Sequence, residues 1–247
     1  MSALFLSDLH LDKSRPKAIN YFIDTLSNLD EKISSIYILG DLVEYWVGDD
    51  DPAEGLNEVF EAIYKKTSST PIYFMHGNRD FLITENFCKK FGMKLLNDPT
   101  IITLYGEKIL LMHGDTLCTD DIEYQNYRKV VRSTSWQEEM LKKSLEERLI
   151  IAESLRKKSL EETKGKSEEI MDVNDQEVKN IFKKYNVNIL IHGHTHRPNI
   201  HELQVDNKNV KRIVLGDWYE GAYLLEYNAG KIIIDKKSLF NQKSHNF

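Results

Sequence analysis

Ala3-Leu4-Phe5-Leu6-Ser7-Asp8-Leu9-His10 is an apolar run that ends in a carboxylate and an imidazole two residues apart. The run is too short for a helix and has the length of a buried strand. Asp8 and His10 alternate with Leu9, so an extended chain would send both side chains the same way. The same construction returns four times. Residues 36–39 run into Gly40-Asp41, and residues 72–75 lead to Gly77-Asn78-Arg79-Asp80. Residues 109–112 run into His113-Gly114-Asp115, and residues 188–191 into His192-Gly193-His194-Thr195-His196. Polar groups that follow apolar strands stand at the carboxyl ends of those strands, where open α/β sheets build their sites.

Between these runs the period changes from strand to helix. Ile19, Phe22, Ile23 and Leu26 form a helical stripe that can start at Pro16, and Leu56, Val59, Phe60 and Ile63 repeat it. A βαβαβ rhythm implies parallel strands joined by crossover helices. From Thr100 onward the pattern is richer in strands. Residues 101–104 and 109–112 predict a hairpin about Gly106-Glu107, and further strands are expected at 201–205, 212–215, 222–227 and 232–235. The whole reads as a strand-rich α/β sandwich.

Residues 121–173 differ in composition. They are dense in Glu, Lys, Arg and Leu, with an apolar side of Met140, Leu141, Leu145, Leu149, Ile150, Ile151 and Leu155. This predicts two helices inserted over one end of the sandwich, a helical lid of 121–173 on a core of 1–120 and 174–247. At 41% hydrophobic and 29% charged, the chain is of globular and not disordered composition. Its net charge of −6 argues against a general nucleic-acid binder. Two cysteines cannot frame a disulfide scaffold and fit a reducing compartment. Met1-Ser2-Ala3 leads into the first strand without a basic region or cleavage site, so no secretory signal is expected, and no apolar run is long enough to span a bilayer.

Each short motif has an ordinary reading of its own. Asp-x-His can be a hydrogen-bonded pair, Gly40-Asp41 an N-cap or turn, Gly77-Asn78 a turn, and His113 a core histidine. Five strand-end motifs in one chain point instead to hard-cation ligands. Carboxylates and imidazoles without thiolates suit Mn²⁺, Fe or Zn²⁺ in a catalytic site. Two metals about 3.5–4 Å apart need a shared ligand. Asp41, with no metal-binding neighbour in its own segment, is the natural bridge.

The series Asp-x-His, Gly-Asp, Gly-Asn, His and Gly-His-x-His resembles the calcineurin-like metallophosphoesterase superfamily, over Asp8 to His196. The resemblance implies a four-layer α/β-β/α sandwich. It implies one metal on Asp8, His10, Asp41 and His196, a second on Asp41, Asn78, His113 and His194, and a hydroxide between them as nucleophile. One departure is informative. Most of that superfamily has a histidine after Gly-Asn, whereas this chain has Arg79. A guanidinium can clamp phosphate but is a poor proton donor, which favours a leaving group that is itself a phosphate.

Longer matches narrow the resemblance. Residues 41–50, 77–82, 113–121, 170–173, 192–198 and 215–218 are similar to the pyrophosphohydrolases of lipid A biosynthesis that act on UDP-2,3-diacylglucosamine. This implies cleavage to UMP and 2,3-diacylglucosamine 1-phosphate with two Mn²⁺ ions. It implies substrate contacts from Asn78, Arg79, Asp121, Ser159, Lys166 and His194, with Thr163 where the family often has Asn. It also implies a peripheral protein on the anionic, cytoplasmic face of the inner membrane, with no nucleic acid and no obligatory protein partner.

Such a substrate needs an apolar cleft, and Met140, Leu141, Leu145 and Leu149 either line it or pack a helical hairpin. Arg128, Lys129, Arg132, Arg148, Arg156, Lys157 and Lys158 either meet anionic groups or form a solvated face. Tyr45 and Trp46 either line a pocket or serve the core. Asp49, Asp50 and Asp51 are expected in a solvated turn or N-cap. Asp115 and Asp217 are expected to orient the metal-binding histidines or backbone rather than to ligate.

Overall fold

The computed structural model describes residues 1–165 and 170–239, and for residues 159–165 the backbone alone. The expected substrate contacts Ser159, Thr163 and Lys166 therefore lie outside the described side chains. Strands β1 (Ser2–Leu6), β2 (Ile33–Leu39), β3 (Ile72–Met75) and β4 (Lys94–Leu96) run parallel, and α1 (Pro16–Ser27) and α2 (Asn57–Thr67) link the first three. The short helix α3 (Glu85–Lys90) precedes β4. A second sheet starts with the hairpin of β5 (Thr100–Leu104) and β6 (Glu107–Leu111). After the helical segment come α7 (Asp175–Tyr185), β7 (Ile189–His192), β8 (Asn199–Val205) and β9 (Lys208–Val214). Finally β10 (Gly221–Asn228) and β11 (Lys231–Ser238) return to the first sheet, whose order is β11-β10-β1-β2-β3-β4. The second sheet is ordered β5-β6-β7-β9-β8, with β6, β7 and β9 parallel.

The period of two along each strand builds the layers. Ala3, Phe5, Tyr37, Leu39 and Met75 face the other sheet and pack against Ile109, Leu111, Ile189, Ile191 and Ile213. Their alternates Leu4, Leu6, Ile36, Ile38 and Phe74 face outward onto Phe22, Leu26, Val59 and Phe60 of α1 and α2. On the second sheet, Leu110, Leu190 and Val210 face Val178, Ile181 and Phe182 of α7. Helix, sheet, sheet and helix are thus the four layers expected. Each fully buried large side chain, such as Phe5 or Phe74, contributes about 1.5–3 kcal/mol.

The inserted segment forms three helices, α4 (Ile122–Val131), α5 (Thr134–Leu141) and α6 (Leu145–Gly165), rather than the two expected. The breaks are chemical. Ser133 accepts from Trp136 N at 3.3 Å and so starts α5. Ser144 and Glu147 form a reciprocal capping box, with Glu147 N donating to Ser144 Oγ at 3.3 Å and Ser144 N to Glu147 Oε2 at 2.9 Å.

Four of the cations expected either to meet anionic groups or to form a solvated face fasten these helices to the core. Arg148, 2% exposed, donates to Val47 O at 2.6 Å and to Asp50 Oδ1 at 2.7 Å. Arg132 donates to Gly77 O at 2.7 Å, Arg128 pairs with Asp115 at 2.6 Å, and Arg156 pairs with Glu44 at 3.1 Å. The acidic turn is also structural. Asp50 holds Arg148, and Asp49 accepts from Thr84 N at 3.2 Å and from Trp46 Nε1 at 3.3 Å.

Candidate metal centre

Five of the seven expected ligands have left-handed backbones. Asp8, His10, Asp41, His194 and His196 have φ of 55°, 47°, 52°, 68° and 56°. Asp8 and His10 are therefore brought together by two sharp turns, not by the extended alternation expected from their spacing. Such conformations cost about 1 kcal/mol or more each and persist where other bonds fix them. Here the ladder continues past the strand ends. Asp8 N donates to Gly40 O at 3.1 Å, His10 N to Asp41 O at 2.9 Å, and Trp218 N to Asp8 O at 3.0 Å. Glycine lets these loops touch. A Cβ on Gly40, itself at φ +92°, would lie 2.5 Å from Gly77 Cα and 2.6 Å from His113 Nδ1.

All seven ligands converge. Asp8, His10 and His196 offer ligand atoms within 4.8 Å of one another, and so do Asp8, Asp41 and His113. Asp41 Oδ2 lies 3.7 Å from His10 Nε2, while Oδ1 lies 3.9 Å from His113 Nε2. One carboxylate thus presents an oxygen to each half of the cluster, as a bridging ligand must. Asn78 Oδ1 is 3.0 Å from His113 Nε2 and 2.9 Å from His194 Nδ1. Atoms bound at right angles to a common ion at about 2.1 Å stand roughly 3.0 Å apart, so this spacing fits metal ligands. The donor set is oxygen and imidazole nitrogen without thiolate, which fits divalent cations of the Mn²⁺ or Zn²⁺ kind.

Neighbouring groups aim these ligands. His113 Nδ1 lies 2.8 Å from Leu39 O, a contact only a protonated Nδ1 can make, so Nε2 is the ring atom turned toward Asp41 and Asn78. Asp8 Oδ2 accepts from Ser7 Oγ at 2.6 Å and from His194 N at 2.9 Å. Arg79 N donates to Asp41 Oδ1 at 2.8 Å. Asp80, fully buried, accepts from Leu42 N at 2.7 Å and Gly77 N at 2.8 Å, so it clamps two ligand loops together. Asp217 Oδ2 lies 3.7 Å from His196 Nδ1, beside the histidine it was expected to orient but beyond hydrogen-bond distance. Asp115 differs from expectation: its side chain holds Arg128 and the Tyr124 hydroxyl, 2.8 Å away, and so secures α4.

The protonation pattern records the negative charge in the cluster. Burial opposes a charge on His113, yet Asp41, Asp8 and Asp115 raise its pKa to about 9. Burial and the His113 charge together lower His194 to about 4. Burial opposes ionisation of Asp8, yet His196, His113 and His10 hold it well below the usual carboxylate range.

A cavity of about 320 Å³ opens from Asn78 and Arg79 and runs beneath the helices. Its apolar walls are Phe81, Leu82, Trp136, Met140, Ala152 and Leu155. Of Met140, Leu141, Leu145 and Leu149, expected to line a cleft or pack a hairpin, only Met140 lines it, joined by Leu155 from the same apolar side, while Leu141 and Leu149 are 42% and 37% exposed. Trp46 does both of the things expected of it. It borders the cavity and packs its ring on Phe60 and Phe87 at 5.6 and 4.6 Å. Asp121, expected at the substrate, accepts from Tyr124 N at 3.0 Å and caps α4.

Three residues near the ligands were not singled out from the sequence. Glu44 lies 3.1 Å from His10 Nδ1, Tyr219 stacks on the His10 ring at 5.1 Å, and Arg15 donates to His10 O at 2.7 Å. Glu44 follows Asp41 by three residues, a cue that was available. Tyr219 and Arg15 belong to other segments and carry no spacing signal.

Comparison with known proteins agrees with this geometry. The calcineurin-like phosphoesterase model matches residues 1–198. A Marinobacter nauticus protein named UDP-2,3-diacylglucosamine hydrolase is 46% identical, covering 92% of this chain and 93% of its own. A Vibrio vulnificus protein of the same name is 41% identical, covering 98% and 100%. A solved structure described as a novel archaeal phosphodiesterase shares the fold with a TM-score of 0.52 at 13% identity, covering 96% of this chain and 99% of that one. With its ligand loops assembled as that fold requires, the chain belongs to the calcineurin-like phosphoesterase family.

Proposed function

We propose that the protein hydrolyses the diphosphate bond of UDP-2,3-diacylglucosamine, releasing UMP and 2,3-diacylglucosamine 1-phosphate in lipid A biosynthesis. The observation that carries this reading is the junction of two chemistries at Asn78 and Arg79: the metal-ligand cluster on one side and an apolar cavity on the other. Near-full-length relatives that bear the hydrolase name support it.

Two Mn²⁺ ions are the proposed cofactors, one on Asp8, His10, Asp41 and His196 and one on Asp41, Asn78, His113 and His194. Bound there, divalent cations would make water acidic enough to attack at neutral pH and would neutralise charge on the phosphoryl oxygens. The chain's own residues do the rest. Arg79, at the cavity mouth, stays charged and meets the diphosphate, stabilising charge on the phosphate that leaves. The leaving phosphate needs no proton, so an arginine suffices where other family members have histidine. The wall of Phe81, Trp136, Met140 and Leu155 shields an acyl chain from water. Helices of the 121–173 segment act as the lid over that wall, and Asp121, Ser159, Thr163, Lys166 and His194 are proposed to hold the polar part of the substrate.

We also place the protein on the anionic cytoplasmic face of the inner membrane. Supporting this, Ile122, Val130 and Ile150 of the helical segment are 68%, 55% and 62% exposed, while no described helix is long and apolar enough to cross a bilayer. The test is product analysis with UDP-2,3-diacylglucosamine in ¹⁸O water. Label in UMP and faster turnover than of an unacylated UDP-sugar are expected. Equal rates on the two substrates would overturn the lipid assignment, and label in the sugar phosphate would reverse the side of attack.

A further inference from the structure

Glu44 follows the bridging Asp41 by three residues, is 4% exposed, and has charged or polar partners on three different segments. Its Oε2 lies 3.1 Å from His10 Nδ1 and accepts from the Tyr219 hydroxyl at 3.2 Å. Its Oε1 lies 3.1 Å from Nε of Arg156 on α6. The His10 ring is therefore fixed on several sides. Tyr219 stacks on it with an interplanar angle of 20°, and Arg15 lies 4.6 Å from the centre of the Tyr219 ring. A carboxylate 3.1 Å from Nδ1 draws a proton to that nitrogen by charge attraction and turns Nε2 toward the cluster. Nε2 is the atom that enters the cluster, 3.7 Å from Asp41 Oδ2.

Arg156 is 46% exposed and lines the cavity, and an arginine so exposed gains little from a surface partner. Its partner here is a buried carboxylate already committed to a metal ligand. We propose that Glu44 is a positioning residue that couples the helical cover to the metal centre, holding His10 in its ligating orientation and α6 over the cavity at once. This rests on the phosphoesterase reading of the site and goes beyond it: one buried carboxylate serves both the helical cover, through Arg156, and one metal site, through His10.

The experiment uses the full-length protein with Glu44→Ala, Glu44→Gln and Arg156→Gln. Manganese binding is read by calorimetry without substrate, amide hydrogen exchange is followed along α6, and KM and kcat are measured separately. Glu44→Ala should weaken manganese about 10- to 100-fold and speed exchange in α6. Glu44→Gln keeps an acceptor for His10 Nδ1–H but loses the charge facing Arg156. It should hold manganese within about 3-fold of the unmodified protein while α6 exchange and KM rise. Arg156→Gln should reproduce the faster exchange and higher KM without changing manganese affinity, and should add nothing to α6 exchange in the Glu44→Ala background. Unchanged manganese affinity in Glu44→Ala, or additive exchange in the double variant, overturns the coupling. If Glu44→Ala does not fold, unchanged α6 exchange in both glutamine variants overturns it instead. Metal binding and exchange need no substrate, so inactivity toward UDP-2,3-diacylglucosamine would sink the proposed reaction and leave this test intact.

Discussion

The strand-end loops and the helical cover solve opposite problems. In the loops, Asp8, His10, Asp41 and His113 are at most 2% exposed, the first three have left-handed backbones, and main-chain bonds run from one loop to the next. In the cover, Ile122, Val130 and Ile150 face outward, and four arginines tie the segment to the core beside the packing of Met140, Trp136 and Ile151. Chemistry that must place charges to a fraction of an ångström is built on rigid strand ends. Recognition of a flexible apolar chain needs only shape and water exclusion, which a few charged tethers to a partly exposed helical segment can provide.

The sharpest way to break this division is at its centre. Asp41→Ala removes the carboxylate that presents one oxygen toward His10 and the other toward His113, and should lower kcat roughly 10³-fold. Metal analysis should show fewer than two ions per chain, and circular dichroism an intact fold. Full metal content would disprove the bridge. Arg79→Ala tests the border between the regions. Turnover should drop about 10²-fold with metal content unchanged, because the guanidinium is the group proposed to meet the diphosphate, whereas the bond to Asp41 comes from the backbone N–H.

The cover predicts smaller and more selective effects. Leu155→Glu, in the cavity wall, should reduce kcat/KM for the acylated substrate by about 10- to 100-fold, the worth of one buried apolar side chain. An unacylated UDP-sugar should be turned over at the original rate. Leu141→Asp, outside the wall and 42% exposed, should change either substrate less than about 2-fold. A strong Leu141 effect would restore the stripe predicted from sequence.

Asp98 lines a second cleft, separate from the cavity at Arg79, together with Arg128 and Arg132 of the helical cover. Burial and the nearby Asp115 charge push its carboxyl up to about 6. Its folded pKa is above its unfolded value, so ionising it destabilises the fold as pH rises from the unfolded pKa to about 6. Asp98→Asn should therefore raise the melting temperature at pH 8, by no more than about 3 kcal/mol of stability, with the gain vanishing near pH 4. A gain that persists at pH 4 would assign the effect to something other than this charge.

Much of the fold was legible because burial writes a period into the chain. The run 3–6, the stripe after Pro16 and the strand 72–75 each carry one period cleanly, and each appears where expected. Helix α3 spans 6 residues and β4 only 3, too short for a period to declare itself. The spacing of Val178, Ile181 and Phe182 and the Asn174 cap of α7 were present but unread, as was the Ser144–Glu147 capping box. The apolar wall was misplaced for a different reason. A helix periodicity says which residues share a face, but not which face turns inward when three helices pack on a sandwich. Leu141 and Leu149 share an apolar pattern with Met140 and Leu155, yet only the latter two reach the cavity.

The sequence by itself determined the ligand chemistry, since oxygen and imidazole donors after successive apolar runs need only local chain geometry to be recognised. Tertiary structure decided what those donors share. Asp41 presents one oxygen to His10 and the other to His113 because the ends of β2 and β6 meet across two sheets, and Glu44 reaches both His10 and Arg156 because α6 crosses above the site. Residues brought together from distant segments have no common period or spacing, so their cooperation exists only once the layers have packed.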